Sequence, residues 1–330
     1  MVAAISTETA ARPRILLLDM LRGVAALIVA TAHAATYLGI TLPAHTAEAC
    51  VWFFFALSGY VLSHAYGAEI AAGAVSARAF VGYRLARLYP LHAVTTVFMV
   101  VAWFLLLGHH RNSFVTDAEA FTFTHFIFGG GKSPNPPSWS ISVEFWGSLL
   151  VFMLLTGRRA AQAAIVAAVA AFVAFGSGEL QATYAVGFAF MVGGWALYQL
   201  DGGRSFTAQP LPRGLMARAG DWSYGIYLWH HPVMFLLVGA LRLVEKTTGV
   251  QLLGTAAFAV VYFPALLVTA RYSFRYFEVP ARRKLRDAFS RYSRWHPVRA
   301  RAAPLPMPPA PDWRPELPHP RSARKTQSLS

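Results

Sequence analysis

Eight apolar stretches of roughly bilayer length run through this sequence, at 15–38, 48–66, 90–108, 138–156, 159–176, 180–200, 222–241 and 252–271. About 20 mostly apolar residues are needed to cross a hydrocarbon core about 30 Å thick, so each is a candidate span. The fifth is alanine-rich and lies close to its neighbours. With 56% hydrophobic and 13% charged residues and a mean hydropathy of +0.43, the chain departs from the soluble average of about 25% charged residues. A soluble core cannot hide that much apolar surface. The expected fold is therefore all-α: a polytopic transmembrane helical bundle of about eight spans, with both termini cytoplasmic.

The formal charge of +14 would point first to nucleic acid, but the placement of the cations points to a membrane. One set of alternating segments holds Arg12 and Arg14; Arg78, Arg84 and Arg87; Arg158 and Arg159; Arg204, Arg213 and Arg218; and everything from Arg271 on. The opposite set holds only Arg111, Lys132, Arg242 and Lys246. This is the positive-inside asymmetry, and it needs an even number of spans. No nucleic-acid partner is expected. Residues 1–290 form the expected transmembrane domain. Residues 291–330 read as a basic, proline-rich cytoplasmic tail, disordered and attracted to anionic lipid, preceded by an amphipathic helix on the membrane surface.

Cys50 stands alone, which excludes an internal disulfide and a cysteine-based zinc site, and no metal is expected. Between 109 and 137, the stretch Phe121–Phe128 is too short to span and is read as re-entrant or interfacial. Arg12, Arg14 and Ala32-His33-Ala34 mimic a cleavable signal peptide. Asp19 and Arg22 inside the apolar run favour a retained span instead.

Ionisable groups within spans cost about 2.5–3.5 kcal/mol on insertion scales, so each needs a reason. Arg22 and His33 are eleven residues apart, close to three helical turns, which places them on one face about 16 Å apart. Asp19, one turn before Arg22, can pair with it. Glu144 lies about 9 Å inside the external end of its span, and the expectation is that it meets His33 there, a carboxylate supporting an imidazolium. The plainer alternative is that Ser140 and Glu144, at i,i+4, satisfy each other. His230 and His231 precede Pro232, which frees a backbone carbonyl. Being adjacent, they are expected to face opposite sides, so that one of them lines a site. Arg84 and Arg87 share a helix face and suit phosphate, or else anchor the inner membrane surface.

Taken together, Leu18-Asp-Met-Leu-Arg-Gly-Val-Ala-Ala26 with Arg22-x10-His33, Phe54-Phe-Ala-Leu-Ser-Gly-Tyr60, Arg84-Leu-Ala-Arg-Leu-Tyr-Pro90, Pro137-Ser-Trp-Ser-Ile-Ser-Val-Glu144, Ser223-Tyr-Gly-Ile-Tyr-Leu-Trp-His230 and Tyr276-Phe-Glu-Val-Pro280 resemble the membrane-bound acyltransferase-3 family, the bacterial O-acyltransferases of surface glycans. The six segments follow the family's order over most of the chain. The family usually has about ten spans and often an acidic residue where Trp52 stands, so the chain departs from it there.

The resemblance implies transfer of an acyl group, acetyl first among them, from acyl-coenzyme A to a hydroxyl of a glycan or lipid-linked saccharide at a bacterial inner membrane. His33 matches the family's catalytic histidine, and Glu144 is expected to support it. Arg22, Arg84 and Arg87 are the expected donor-binding residues. Asp19, Ser58, Ser140, Tyr224 and His230 are candidates for the cavity wall. Two other classes fit the buried polar residues: a proton-coupled secondary transporter, and a non-catalytic scaffold docking through its tail.

Overall fold

The computed structural model describes residues 15–108, 112–124, 133–175, 179–204, 213–249 and 255–292. In chain order the helices are α1 (Leu16–Tyr37), α2 (Thr46–Ala71), α3 (Ala77–Leu107), α4 (Phe114–Thr122), α5 (Ser138–Leu155), α6 (Arg159–Phe175), α7 (Glu179–Asp201), α8 (Arg213–Thr248) and α9 (Thr255–Tyr272). A π-helical segment, Ser273–Glu278, then leads into α10 (Val279–Tyr292). No strand occurs among the described residues. Of the tail expected at 291–330, residues 291 and 292 belong to α10 and 293–330 lie outside the described residues, as does the stretch 125–128 of the 109–137 loop.

Each of the eight apolar stretches corresponds to one helix over its described residues. Five helices are long and apolar enough to cross a membrane unaided: α1, α2, α3, α5 and the Arg218–Thr248 part of α8. This is a multi-pass membrane protein. Val97, Val101, Phe104 and Leu105 remain exposed on α3, as suits a lipid-facing stripe.

The helices extend beyond the apolar runs at the arginine-rich end. The third stretch starts at 90, but α3 starts at Ala77, where the Ser76 side chain accepts the Ala79 N–H at 3.2 Å. Arg84 and Arg87 thus sit inside a helix that continues through Pro90. Pro90 has no N–H, which leaves the Ala86 carbonyl without its usual intrahelical donor. Pro232 has the same effect on the Leu228 carbonyl in α8. Here the loop supplies a replacement, since Asn135 donates its side-chain amide to Leu228 O at 3.1 Å.

Small residues set the closest approaches, as is usual where lipid offers no hydrophobic drive for helices to associate. The α1 and α8 helices run parallel: a Cβ at Gly23 would sit 2.6 Å from Ala219 Cβ, and one at Gly220 would sit 2.5 Å from Asp19 Cβ. Between α2 and α7, a Cβ at Gly59 would overlap the Met191 carbonyl, and one at Gly194 the Ala56 carbonyl. Among the described residues two large apolar clusters result, with a small third one around Leu18, Leu57 and Tyr60. One large cluster joins α2, α3, α5 and α7 around Phe55, Phe80, Val143 and Met191. The other joins α1, α8 and α9 around Ala26, Ala30, Ile226 and Tyr262.

Gly193 and Gly194 form an internal control, because a Cβ at Gly193 meets nothing within 4 Å. Gly193→Ala is expected to hold or raise thermal stability in detergent, since alanine is favoured over glycine by about 1 kcal/mol in a helix. Gly194→Ala is expected to lower it by several degrees. Equal midpoints for the two variants would contradict the packing of α2 on α7.

Candidate active site

A cavity of about 380 Å³ lies between α2, α3, α5 and α8, with α10 across one side. Its wall carries Arg22, Arg84, Arg87, Arg282 and Arg286 against a single carboxylate, Glu144. Ser58, Ser140, Tyr224 and Tyr227 supply hydroxyls, and Phe54, Phe55, Leu62 and Leu88 supply apolar surface.

The cations converge from three directions. Arg22 projects from α1 and Arg84 with Arg87 from α3; Arg282 and Arg286 share a face of α10 at i,i+4. Arg84 is buried and donates Nη2 to Glu144 Oε1 at 2.8 Å, while its Nε has no partner among the described residues. The Arg87 guanidinium lies 5.3 Å from the centre of the Tyr224 ring, a cation–π contact, and the Tyr224 hydroxyl is held by the Leu88 carbonyl at 2.6 Å. Arg286 lies 5.4 Å over the ring of Tyr83. The five guanidinium groups outnumber the one carboxylate on the wall, although Asp19 acts on Arg22 and Glu278 on Arg87 and Arg282 from outside it; planar forks of this kind suit phosphate oxygens.

Glu144 does not meet His33, as the sequence reading expected; its partner is Arg84. The physical reason is the inward extension of α3, which carries Arg84 about 10 Å along the helix from Ala77 and up to the level of Glu144. Ser140 does not satisfy Glu144 either. Its hydroxyl donates to the Pro137 carbonyl at 2.8 Å and therefore accepts from the Tyr227 hydroxyl at 2.7 Å. Ser58, Ser140 and Tyr224 line the cavity, whereas Asp19, His33 and His230 are not on its wall. Asp19 packs against Gly220, within electrostatic reach of Arg22.

His33 lies off the cavity wall, beyond the rings of Phe54 and Tyr227. The ring of Tyr227 is 5.7 Å from Phe54, on the cavity wall, and 5.8 Å from His230. His33 stacks on His230 at 5.3 Å and approaches His231 to 4.7 Å. The adjacent histidines therefore do not face opposite sides, since both reach the same imidazole of α1. The Gly23 and Gly220 contacts bring the two helices so close that His33 covers both rings.

Three features escaped sequence reasoning. Arg286 looked like one more interfacial cation, although its spacing from Arg282 marks a shared face. Helix α10, read as lying on lipid, packs on α3 instead, with Phe289 near its C-terminal end against Gly82. Glu278, beyond the last span, is buried. Burial raises its carboxyl pKa to about 7, reinforced by Asp221 and opposed by Arg87, Arg282 and the Ser273 hydroxyl.

The folded value of Glu278 lies above that of an unfolded glutamate, about 4.3. Its contribution to stability is thus complete below about pH 4.3 and is lost as pH rises to about 7, beyond which it stays constant. Glu278→Gln is expected to flatten thermal stability over that window. Wild-type and variant curves of identical pH slope would remove Glu278 as the cause.

Comparison with known proteins adds a family. Residues 15–211 match the family described as "Acyltransferase domain". A curated relative, "Protein 2 in picA locus" of Rhizobium radiobacter, is 45% identical over 94 residues, covering 28% of this chain and 48% of the relative. The matched part is thus about half the length of that relative. No solved structure matches.

Proposed function

The chain belongs to the membrane-bound acyltransferase-3 family, and from that premise we propose that it moves an acyl group, acetyl first among candidates, from acyl-coenzyme A to a hydroxyl of a glycan or lipid-linked saccharide at a bacterial inner membrane. The observation that carries this reading is the cavity walled by five arginines and one carboxylate. A donor bearing several phosphates is the kind of ligand that such a wall accepts.

Arg84, Arg87, Arg282 and Arg286 take the donor's phosphates, with Arg22 deeper along α1. Glu144 holds the Arg84 guanidinium in place and leaves its Nε free to donate. The pantetheine arm carries the thioester past Phe54 and Tyr227 towards His33, about 16 Å along α1 from Arg22. His33 takes the proton of the acceptor hydroxyl as its oxygen attacks the thioester carbonyl. The carbon–sulfur bond then breaks, the ester forms, and coenzyme A leaves as a thiolate that is reprotonated. General-base assistance of this kind is worth about 10²–10⁴-fold.

A proton-coupled transporter would need Asp19, His33, Glu144 and His230 to pass protons between them. The Arg84–Glu144 ion pair takes one member out of that chain, so the transferase reading is preferred.

In proteoliposomes supplied with acetyl-coenzyme A and with glycans or lipid-linked saccharides extracted from cells, mass spectrometry is expected to detect an added acetyl group on the saccharide. His33→Ala is expected to abolish transfer while the protein still inserts. Arg84→Ala is expected to raise KM for the donor by about 10–100-fold, the worth of one hydrogen bond to a charged group. Proton flux without consumption of acetyl-coenzyme A would overturn the proposal in favour of transport.

A further inference from the structure

Beyond the arginine cavity, His33, His230 and His231 form a cluster that the transfer reaction uses only in part. Their three rings are mutual neighbours: His33 is 5.3 Å from His230 and 4.7 Å from His231, and His230 is 4.7 Å from His231. One ring nitrogen from each falls within 4.8 Å of the others.

The protonation pattern of His230 follows from its neighbours. Its Nδ1 lies in hydrogen-bond contact with the Tyr227 carbonyl, which can only accept, so Nδ1 carries the proton. In the neutral ring Nε2 then holds a lone pair, and that atom is buried without a partner among the described residues. Nε2 of His231 is likewise buried and unpartnered. Buried polar atoms are seldom left without a partner, because desolvation goes uncompensated. Two such bases face a third imidazole from α1.

From this geometry we infer that His33, His230 and His231 bind a divalent transition-metal ion of the zinc and copper class. An all-imidazole donor set suits zinc, copper and nickel, and lacks the oxygen ligands that magnesium and calcium require. Bonds of about 2.0–2.1 Å in a tetrahedral site place ligand nitrogens about 3.3 Å apart, and rotation of the rings closes the remaining gap. The Nδ1–H of His230 on a backbone carbonyl is the outer-shell arrangement that orients metal-bound histidines. The Tyr262 hydroxyl donates to the His230 carbonyl at 3.2 Å and steadies the same turn. His33 and His231 are partly buried, and three imidazoles leave the fourth position of a tetrahedral ion to water or an anion.

The consequence for activity rests on the proposed role of His33 as base. A lone pair given to a metal cannot take a proton from an acceptor, so occupancy inhibits transfer. Metal binding itself does not rest on that role.

The test uses the full chain without an affinity tag, in nanodiscs, stripped with a chelator and dialysed against zinc chloride. Bound zinc is counted by mass spectrometry, and cobalt(II) is substituted to read its visible ligand-field bands. One zinc per chain is expected, with tetrahedral cobalt bands. His33→Asn, His230→Asn and His231→Asn should each weaken binding by about 10-fold or more. His45→Asn, which alters an exposed histidine paired with Glu48, should not. His231→Cys, which restores a zinc ligand, should recover binding and so separates ligation from folding. Stoichiometry far below one, or affinity unchanged by His231→Asn, would overturn the site. Zinc binding with undiminished transfer would keep the site but refute His33 as the base.

Discussion

The parallel seam between α1 and α8 decides where the rest of the chemistry lies. Gly23 and Gly220 remove the side chains that would hold the helices apart, so Asp19 rests on Gly220 and Ala219 on Gly23. Ten residues beyond Gly23 on α1, the same register brings His33 onto His230 and His231. One strip of close packing therefore places an arginine beside a cavity at one end and an imidazole on a histidine pair at the other. In a bilayer such a seam is held by packing and polar contacts, because lipid tails solvate apolar side chains as well as another helix does.

A second constraint is charge. Five guanidinium groups around one cavity would repel one another in a dry interior, and the protein offsets this locally. Glu144 pairs with Arg84, the Tyr224 ring faces Arg87, and the Tyr83 ring faces Arg286. Removing a single partner from a buried ion pair costs more than the pair contributes, which ties α3 to α5 through Arg84 and Glu144. The remaining positive potential is what an anionic donor would meet.

Prolines and a π-helical turn show how polar backbone is accommodated. The carbonyl released by Pro232 is taken by Asn135, from a loop that joins α4 to α5. The π segment at Ser273–Glu278 is of a kind often found at functional sites. It ends at the buried Glu278 and turns the chain so that Arg282 and Arg286 reach the cavity.

Much of the architecture is legible in the residues alone. Apolar length sets the helices, because a bilayer core has one thickness. The Arg22–His33 spacing puts both on one face, because helical periodicity is local. Pairings between helices are not local, and there the sequence fell short. Depth counted along each helix matches Glu144 to an imidazole, but α3 extends N-terminally past Pro90 and brings Arg84 to it instead. The step between neighbours on an isolated helix turns His230 and His231 apart, yet the glycine seam brings α1 near enough for His33 to contact both. Composition and periodicity thus determined that this chain crosses a membrane and which polar residues lie within it. Which of those residues meet was decided by side-chain volume at a few glycines and by where a capping serine starts α3, and both act only when helices distant in sequence are packed together.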